Sequence, residues 1–300
     1  MTRSNQKWYD KPVTKLILIT IAVTWMFPIF GFLLSSFRPG ESIKRSSWWD
    51  AIYTGTIWSE LSFDNYVEVF RAENLDRSFY NSLAVTIPST IIPITIAAFA
   101  AYAFAFMEFK GKDILFLFVV GSMIIPLQMS LIPLVQLFKD GIEIAGIPII
   151  PALDLNGTFV ATWFAHTGFG LPLATFLLRD FMMGLPKSVI ESAKIDGASH
   201  FTTFFKLVLP LSVAGIAAFG TFQFLWVYND FLVANVFLGI YKPENLVVTS
   251  HMSQIVVGRF GEAWHLRTSG AVISIIVPLA VFFGLQRFFI RGLIGGAVKG

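Results

Sequence analysis

Residues 184–201 read Gly-Leu-Pro-Lys-Ser-Val-Ile-Glu-Ser-Ala-Lys-Ile-Asp-Gly-Ala-Ser-His-Phe. The run is polar and lies between two long apolar stretches. Its spacing predicts two short helices and a turn. Pro186 suits a first helical turn, where its missing N–H costs nothing. Glu191 is close enough to that N-terminus to be favoured by the helix dipole. Ile190, Ala193 and Gly197 follow i, i+3, i+7 spacing and are expected on one face. The small Ala193 and Gly197 would let a backbone or an aromatic ring approach there. Gly197 can end the helix in the left-handed conformation. Ser199 can then cap a second helix through Phe201, Phe204 and Phe205. Such a segment is either an interfacial helix on lipid headgroups or a docking element for another protein. Composition leaves both readings open.

The surroundings are those of an integral membrane protein. Of 300 residues, 55% are hydrophobic and only 14% charged, and the mean hydropathy is +0.69. Soluble domains are about 25% charged, so too little polar surface is present to cover a globule of this size. The 32 Phe and 8 Trp argue against disorder. There is no Cys, which removes disulfide and thiolate chemistry. A bilayer core needs about 20 apolar residues per helix. Six segments qualify: Leu16–Phe37, Asn81–Phe106, Ile114–Phe138, Phe159–Leu178, Leu207–Val227 and Thr268–Gln286, all free of Asp, Glu, Lys and Arg. The first is read as retained, not as a cleaved signal peptide. The expected fold class is all-α, with six transmembrane helices and both termini in the cytoplasm.

Charge sets that direction. With the termini inside, 13 of the 22 basic residues are cytoplasmic and 9 are outside, against 6 and 13 of the 19 acids. The net of +3 therefore divides into +7 inside (13 − 6) and −4 outside (9 − 13), as the positive-inside rule requires. The expected organisation is a cytoplasmic segment 1–15, a membrane domain 16–290 and a cytoplasmic tail 291–300. The loop 184–206 is cytoplasmic, and the outer loops are 38–78, 139–158 and 228–267. Ser62–Arg71 reads as a short amphipathic helix, with Phe63, Tyr66, Val67 and Phe70 at helical spacing. Eight prolines, Pro28, Pro88, Pro93, Pro126, Pro133, Pro172, Pro210 and Pro278, fall inside the spans. Each frees a backbone carbonyl that a neighbour or a wet cavity must satisfy.

No span carries an ionic engine. His166 is the one titratable side chain at depth, and a lone His beside Thr167 and Gly168 is expected to be hydrogen-bonded packing. Backbone carbonyls could hold Na⁺, so sodium coupling stays open. No G-x-x-x-x-G-K-[ST], H-E-x-x-H or G-x-S-x-G occurs. The four His have no metal-ligand spacing. Any energy for uphill transport must come from a partner.

The loop resembles the EAA signature of permease subunits in binding-protein-dependent ABC importers. That signature is E-A-A, three residues, G, nine residues and I-x-L-P. Here Glu191-Ser192-Ala193, Gly197 and Leu207-Val208-Leu209-Pro210 meet every spacing, with Ser192 and Leu207 as small departures. Pro172–Phe181, Ile195–Ser199, Phe224–Leu232 and the ending Leu285–Gly300 are similar to the carbohydrate-importer branch, in particular the maltose-type second permease (MalG-like) subfamily. The resemblance implies the type I importer permease fold and a coupling helix that docks on a cytoplasmic ATPase. Glu191, Ser192, Ala193, Asp196 and Gly197 would form its core, and Pro210 would mark the start of the fifth span. It implies a heterodimer with a second permease, two copies of the ATPase and an extracytoplasmic sugar-binding protein. No cofactor is expected in this chain, since the ATPase binds ATP and Mg. The chain would be a transport subunit and not an enzyme, multi-pass in the prokaryotic cell (inner) membrane, with lipid but no nucleic acid as a partner. The tail Gly295–Gly300 would reach the ATPase interface, and the loop 241–267 would act as a scoop on the binding protein.

Phe222, Gln223, Trp226, Tyr228, Asn229 and Asp230 are the candidate lining of the sugar path. They combine aromatic faces for sugar C–H surfaces with polar groups for hydroxyls. An interfacial aromatic belt would show the same residues. The expected cargo is an oligosaccharide or glucoside of maltose or trehalose type. The alternatives are an ABC permease for another small solute and a stand-alone secondary transporter.

Overall fold

The computed structural model describes residues 12–72, 74–258 and 263–297. In chain order its elements are α1 (Pro12–Ser36), α2 (Gly40–Arg45), α3 (Trp48–Thr54), α4 (Ile57–Glu60), α5 (Asp64–Val67, running into a π-turn Glu68–Ala72), α6 (Leu75–Phe106), α7 (Lys112–Gly121, then a 3-10 turn Ser122–Ile124), α8 (Leu127–Asp140), β1 (Ile142–Ile144), β2 (Ile147–Ile150), α9 (Phe159–Met183), α10 (Lys187–Ile195), α11 (His200–Thr203, then a π-turn Phe204–Val208), α12 (Leu209–Leu211), α13 (Val213–Tyr228), α14 (Leu232–Ala234, then a π-turn Asn235–Gly239), α15 (Val248–Gly258) and α16 (Trp264–Ala297). The chain divides into two compact units. One holds the chain up to Asp76 with Met252–Ser274, and the other holds Arg77–His251 with the chain from Ile275 onward.

Three helices are long and apolar enough to cross a membrane: α1, α6 and the Trp264–Arg287 part of α16. Two bent pairs add a crossing each if taken as single spans. Lys112–Ile124 and Leu127–Asp140 meet at 104°, and His200–Leu211 and Val213–Tyr228 meet at 69°. The described helices thus supply three spans, or up to five by length and composition, where six were expected. Ile114–Phe138 is broken because Ile125 precedes Pro126. The proline ring drives the residue before it out of the helical region, and Ile125 has ψ 118. Leu207–Val227 is broken at Ser212 (φ −91, ψ 0), where the helix through Leu211 ends and the next begins at Val213. The fifth span therefore straightens at Val213, beyond Pro210. The helix α9 has the length of a span, but Thr162, His166, Thr167 and Thr175 dilute its apolar run and are turned inward.

In α6, by contrast, two prolines leave the helix continuous. Pro88 cannot bond the carbonyl of Ala84, and Pro93 cannot bond that of Ser89. Each freed oxygen finds a side chain. Trp163 Nε1 donates to Ala84 O at 2.9 Å, and Gln223 Nε2 donates to Ser89 O at 3.2 Å. The same unit holds a core in which Ala97, Ala98, Ala101 and Tyr102 of α6 meet Ala174, Leu178 and Met182 of α9. An antiparallel hairpin, β1 with β2, follows α8. It was not anticipated. Its pairs Ile142–Ile150 and Ile144–Ile147 are of exposed isoleucines, about a turn in which Ala145 and Gly146 take positive φ.

The other unit is organised about Arg38, which is 1% exposed. Its Nε donates to Glu60 Oε2 at 2.6 Å, and its Nη atoms donate to Ser46 O, Ser42 O and Ser46 Oγ. Asn65 Nδ2 bonds the carbonyls of Ser36 and Arg38 at 2.9 and 2.8 Å, which fixes α5 against the end of α1. The Tyr66 hydroxyl is hydrogen-bonded to Ser36 Oγ at 2.6 Å. Burial pushes the Tyr66 phenol pKa up, and the Ser36 bond opposes that rise. The expected face of Ser62–Arg71 forms as a surface groove: Phe63, Tyr66, Val67 and Phe70, joined by Arg71 and Ile273.

Candidate functional site

The 184–201 segment folds as two helices and a turn. Pro186 sits at the N-cap of α10 (φ −59, ψ 116), one position earlier than expected. After Ile195 the chain closes a Schellman-type stop. Ala198 N donates to Ala193 O at 2.9 Å, Gly197 N donates to Lys194 O at 3.1 Å, and Gly197 takes φ +75. Ser199 Oγ accepts from Thr202 N at 3.2 Å and caps α11.

The two faces of α10 are sorted more sharply than spacing alone suggested. Ile190 and Ala193 are 4% and 7% exposed. Ile190 joins the core formed by α6, α9 and Phe204. The expected common face of Ile190, Ala193 and Gly197 is therefore corrected. Ala193 is an inward anchor, whereas Gly197 lies past the helix end with open space around it. Exposed on the other side are Glu191, Ser192, Lys194, Ile195 and Asp196, and Phe201 follows beyond the turn. Ile195 is 85% and Phe201 71% exposed. Two large apolar side chains so exposed, set among Glu191, Lys194 and Asp196, suit a protein dock with an apolar centre and a charged rim.

Below the dock, Phe204 packs on Phe99 and Tyr102 of α6, with ring centroids 4.8 and 5.3 Å away. The Tyr102 hydroxyl is hydrogen-bonded to His200 Nδ1 at 3.0 Å. Neither Tyr102 nor His200 was singled out from sequence. The available signal was the spacing of Phe99, Tyr102 and Phe106 on one helical face.

The six candidate path residues do not converge. Gln223 is wholly buried and serves the Pro93-freed carbonyl. Its amide occupies the space a Cβ on Gly170 would need, 2.6 Å from Nε2. Tyr228 is 2% exposed. Asp230 caps the helix that follows it, its Oδ2 accepting from Ala234 N at 2.9 Å, while its carbonyl accepts from Thr249 Oγ1 at 2.6 Å. Burial raises the Asp230 carboxyl pKa, against the backbone N–H groups that lower it. Gln223 and Asp230 are turned into packing because polar side chains beside a proline break or a helix start have backbone groups to satisfy, whereas the buried Tyr228 hydroxyl has no hydrogen-bond partner. Phe222 and Asn229 are exposed, and Trp226 is half-buried. His166 departs from the hydrogen-bonded packing expected of it. Neither ring nitrogen has a hydrogen-bond partner, and Nε2 lies 3.8 Å from Asp230 Oδ2. Among the described residues, no three of His, Asp and Glu converge to hold a metal ion.

Gln223→Leu is expected to destabilise the chain by about 1–3 kcal/mol, because Ser89 O is left without a donor. Thermal unfolding of the purified chain reads this directly. Unchanged stability with altered solute handling would instead place Gln223 on the path.

The 241–267 loop is described except for residues 259–262. Of the tail, Gly295–Ala297 close α16, and residues 298–300 lie outside the described residues, as do residues 1–11 of the N-terminal segment.

The osmoprotective compounds uptake permease protein GgtD of Synechocystis sp. is 44% identical over 99% of this chain and 95% of its own. The alpha-glucoside transport system permease protein AglG of Rhizobium meliloti is 50% identical over 83% of this chain and 63% of its own. A chain of a bacterial ABC transporter that imports the acidic polysaccharide alginate superposes with a TM-score of 0.72, over 96% of this chain and 99% of that one. At 16% identity that likeness shows a shared fold. Residues 93–295 match the family described as the binding-protein-dependent transport system inner membrane component. The chain belongs to that family: it is a membrane permease subunit of an ABC importer and not an enzyme.

Proposed function

We propose that this chain is one permease half of an ATP-driven, binding-protein-dependent sugar importer. Its working assembly is a heterodimer with a second permease, two copies of a cytoplasmic ATPase and an extracytoplasmic sugar-binding protein. The observation that carries the reading is the 187–201 segment, a capped helix anchored inward by Ile190 and Ala193 that presents Glu191, Ser192, Ile195 and Asp196 outward. In this reading six spans cross the membrane, with α9 and the two bent pairs completing the count, and both termini are cytoplasmic. A helix as polar on its buried face as α9 is accommodated inside a bundle, where neighbours satisfy it. ATP and Mg are bound by the partner. Phe222, Trp226 and Asn229 line the path, while Gln223, Tyr228 and Asp230 hold its wall. The tail beyond Gly295 reaches toward the ATPase.

The cargo is an oligosaccharide or glucoside of maltose or trehalose type. The alpha-glucoside transport permease among the relatives supports that class. The relative named for osmoprotective compounds favours, as a second reading, a small compatible solute on the same machinery. The binding protein selects the substrate, so calorimetry on it with a panel of mono- and disaccharides and small osmolytes tests both. Micromolar binding of a glucoside, with no heat from the osmolytes, is expected. Binding confined to non-sugar osmolytes would select the second reading. Solute uptake by this chain alone in a sodium gradient would overturn both.

A further inference from the structure

We propose that α6 is the rod that carries movement of the cytoplasmic loop to the segment Glu244–His251, with Tyr102 as the positioning residue that engages the loop. The proposal rests on the importer reading above. Both parts of the loop close on α6. Ile190 of α10 and Phe204 after α11 enter the core that contains Ala98, Ala101 and Tyr102. The Tyr102–His200 hydrogen bond, at 3.0 Å, is a polar link within that packing. Tyr102 is 5% exposed, so its hydroxyl has been taken out of water to make the bond.

About 36 Å away along the same helix, at 1.5 Å per residue, α6 is bonded again. Ser78 Oγ pairs with His251 Nδ1 at 2.6 Å. Asn81 Nδ2 donates to Leu246 O and Glu244 O at 3.0 and 3.2 Å. Ser82 Oγ accepts from Val248 N at 2.8 Å. One continuous helix therefore holds the docking loop at one end and the Glu244–His251 segment at the other.

A rod must not fold at its middle, and two prolines lie there. Both freed carbonyls are bonded, Ala84 O by Trp163 and Ser89 O by Gln223. Those side chains remove the commonest cause of a hinge in a helix.

The chain has no cysteine, so a single thiol can report from the far end. The assembled importer, purified with its ATPase and reconstituted in liposomes, would carry Glu244→Cys. The readout is the rate of thiol labelling with and without ATP. ATP is expected to change that rate in the parent. Tyr102→Phe and His200→Ala are each expected to reduce the ATP-dependent change by about three- to tenfold, the weight of one hydrogen bond. The double variant is expected to lose no more than either single one. The ATPase should remain bound throughout, and the melting temperature should move by only a few degrees. A full ATP-dependent change in Tyr102→Phe and in His200→Ala, with the ATPase bound, overturns the rod and leaves the importer reading intact. Additive losses in the double variant also overturn it, because the two residues would then act separately. A parent that holds no ATPase overturns both.

Discussion

Gly197→Asp is expected to abolish stimulation of ATP hydrolysis by the binding protein while leaving the permease folded. Nothing lies within 4 Å of a Cβ built at Gly197, so the new side chain starts into open space. The backbone cost is modest: φ +75 is left-handed, which Asp tolerates better than most residues, at about 1 kcal/mol. The damage falls on the partner. An unpaired carboxylate buried in a protein interface costs about 3 kcal/mol or more, a factor of at least about a hundred in affinity. Hydrolysis assayed with and without binding protein, on complex of matched melting temperature, reads the effect. Normal stimulation in the variant would show that the turn does not enter the dock.

The second large effect is on folding. Arg38→Ala is expected to destabilise its unit by about 3–5 kcal/mol, since Glu60 keeps a charge that has lost its partner. Glu60 is itself only 18% exposed, so water compensates little. Three further acceptors, Ser42 O, Ser46 O and Ser46 Oγ, lose their donor together. Arg38→Lys is expected to recover only part of the loss, because an ammonium cannot span the carboxylate and the Ser46 carbonyl as the guanidinium fork does. Thermal unfolding in detergent, with expression level as a second readout, measures both variants. Wild-type melting of Arg38→Ala would mean the pair contributes nothing.

Much of the docking loop was legible because its signals are local. A proline opening, a left-handed glycine and a serine cap act through the backbone within a few residues; the glycine and the serine were found where the spacing puts them and the proline one position earlier. Which face turns inward was not legible. Ile190 is inward because Tyr102 and Phe204 share its core, and its contact with α6 joins parts of the chain far apart in sequence. Prolines show the same limit. Pro88 and Pro93 in α6 and Pro126 between α7 and α8 look alike as letters. The first two stay helical because Trp163 and Gln223 arrive from other helices. Gln223 was a candidate for sugar hydroxyls on its chemistry alone, and its buried amide nitrogen instead donates to a freed carbonyl while its oxygen has no partner. His166 was expected to be satisfied and is not, since the nearest carboxylate oxygen already caps a helix. Arg38 gave no sign of burial, because a basic residue just past a span ordinarily faces water.

The central claim is that Ile195 and its neighbours meet a cytoplasmic ATPase. A single Ile195→Cys, in a chain with no other thiol, tests it most directly. In the assembled importer the thiol is expected to cross-link to the ATPase, with a yield that changes when ATP binds. In intact cells it should be shielded from a membrane-impermeant thiol reagent. Labelling of Ile195→Cys from outside the cell, with no cross-link to the ATPase, would contradict both the dock and the orientation of the chain.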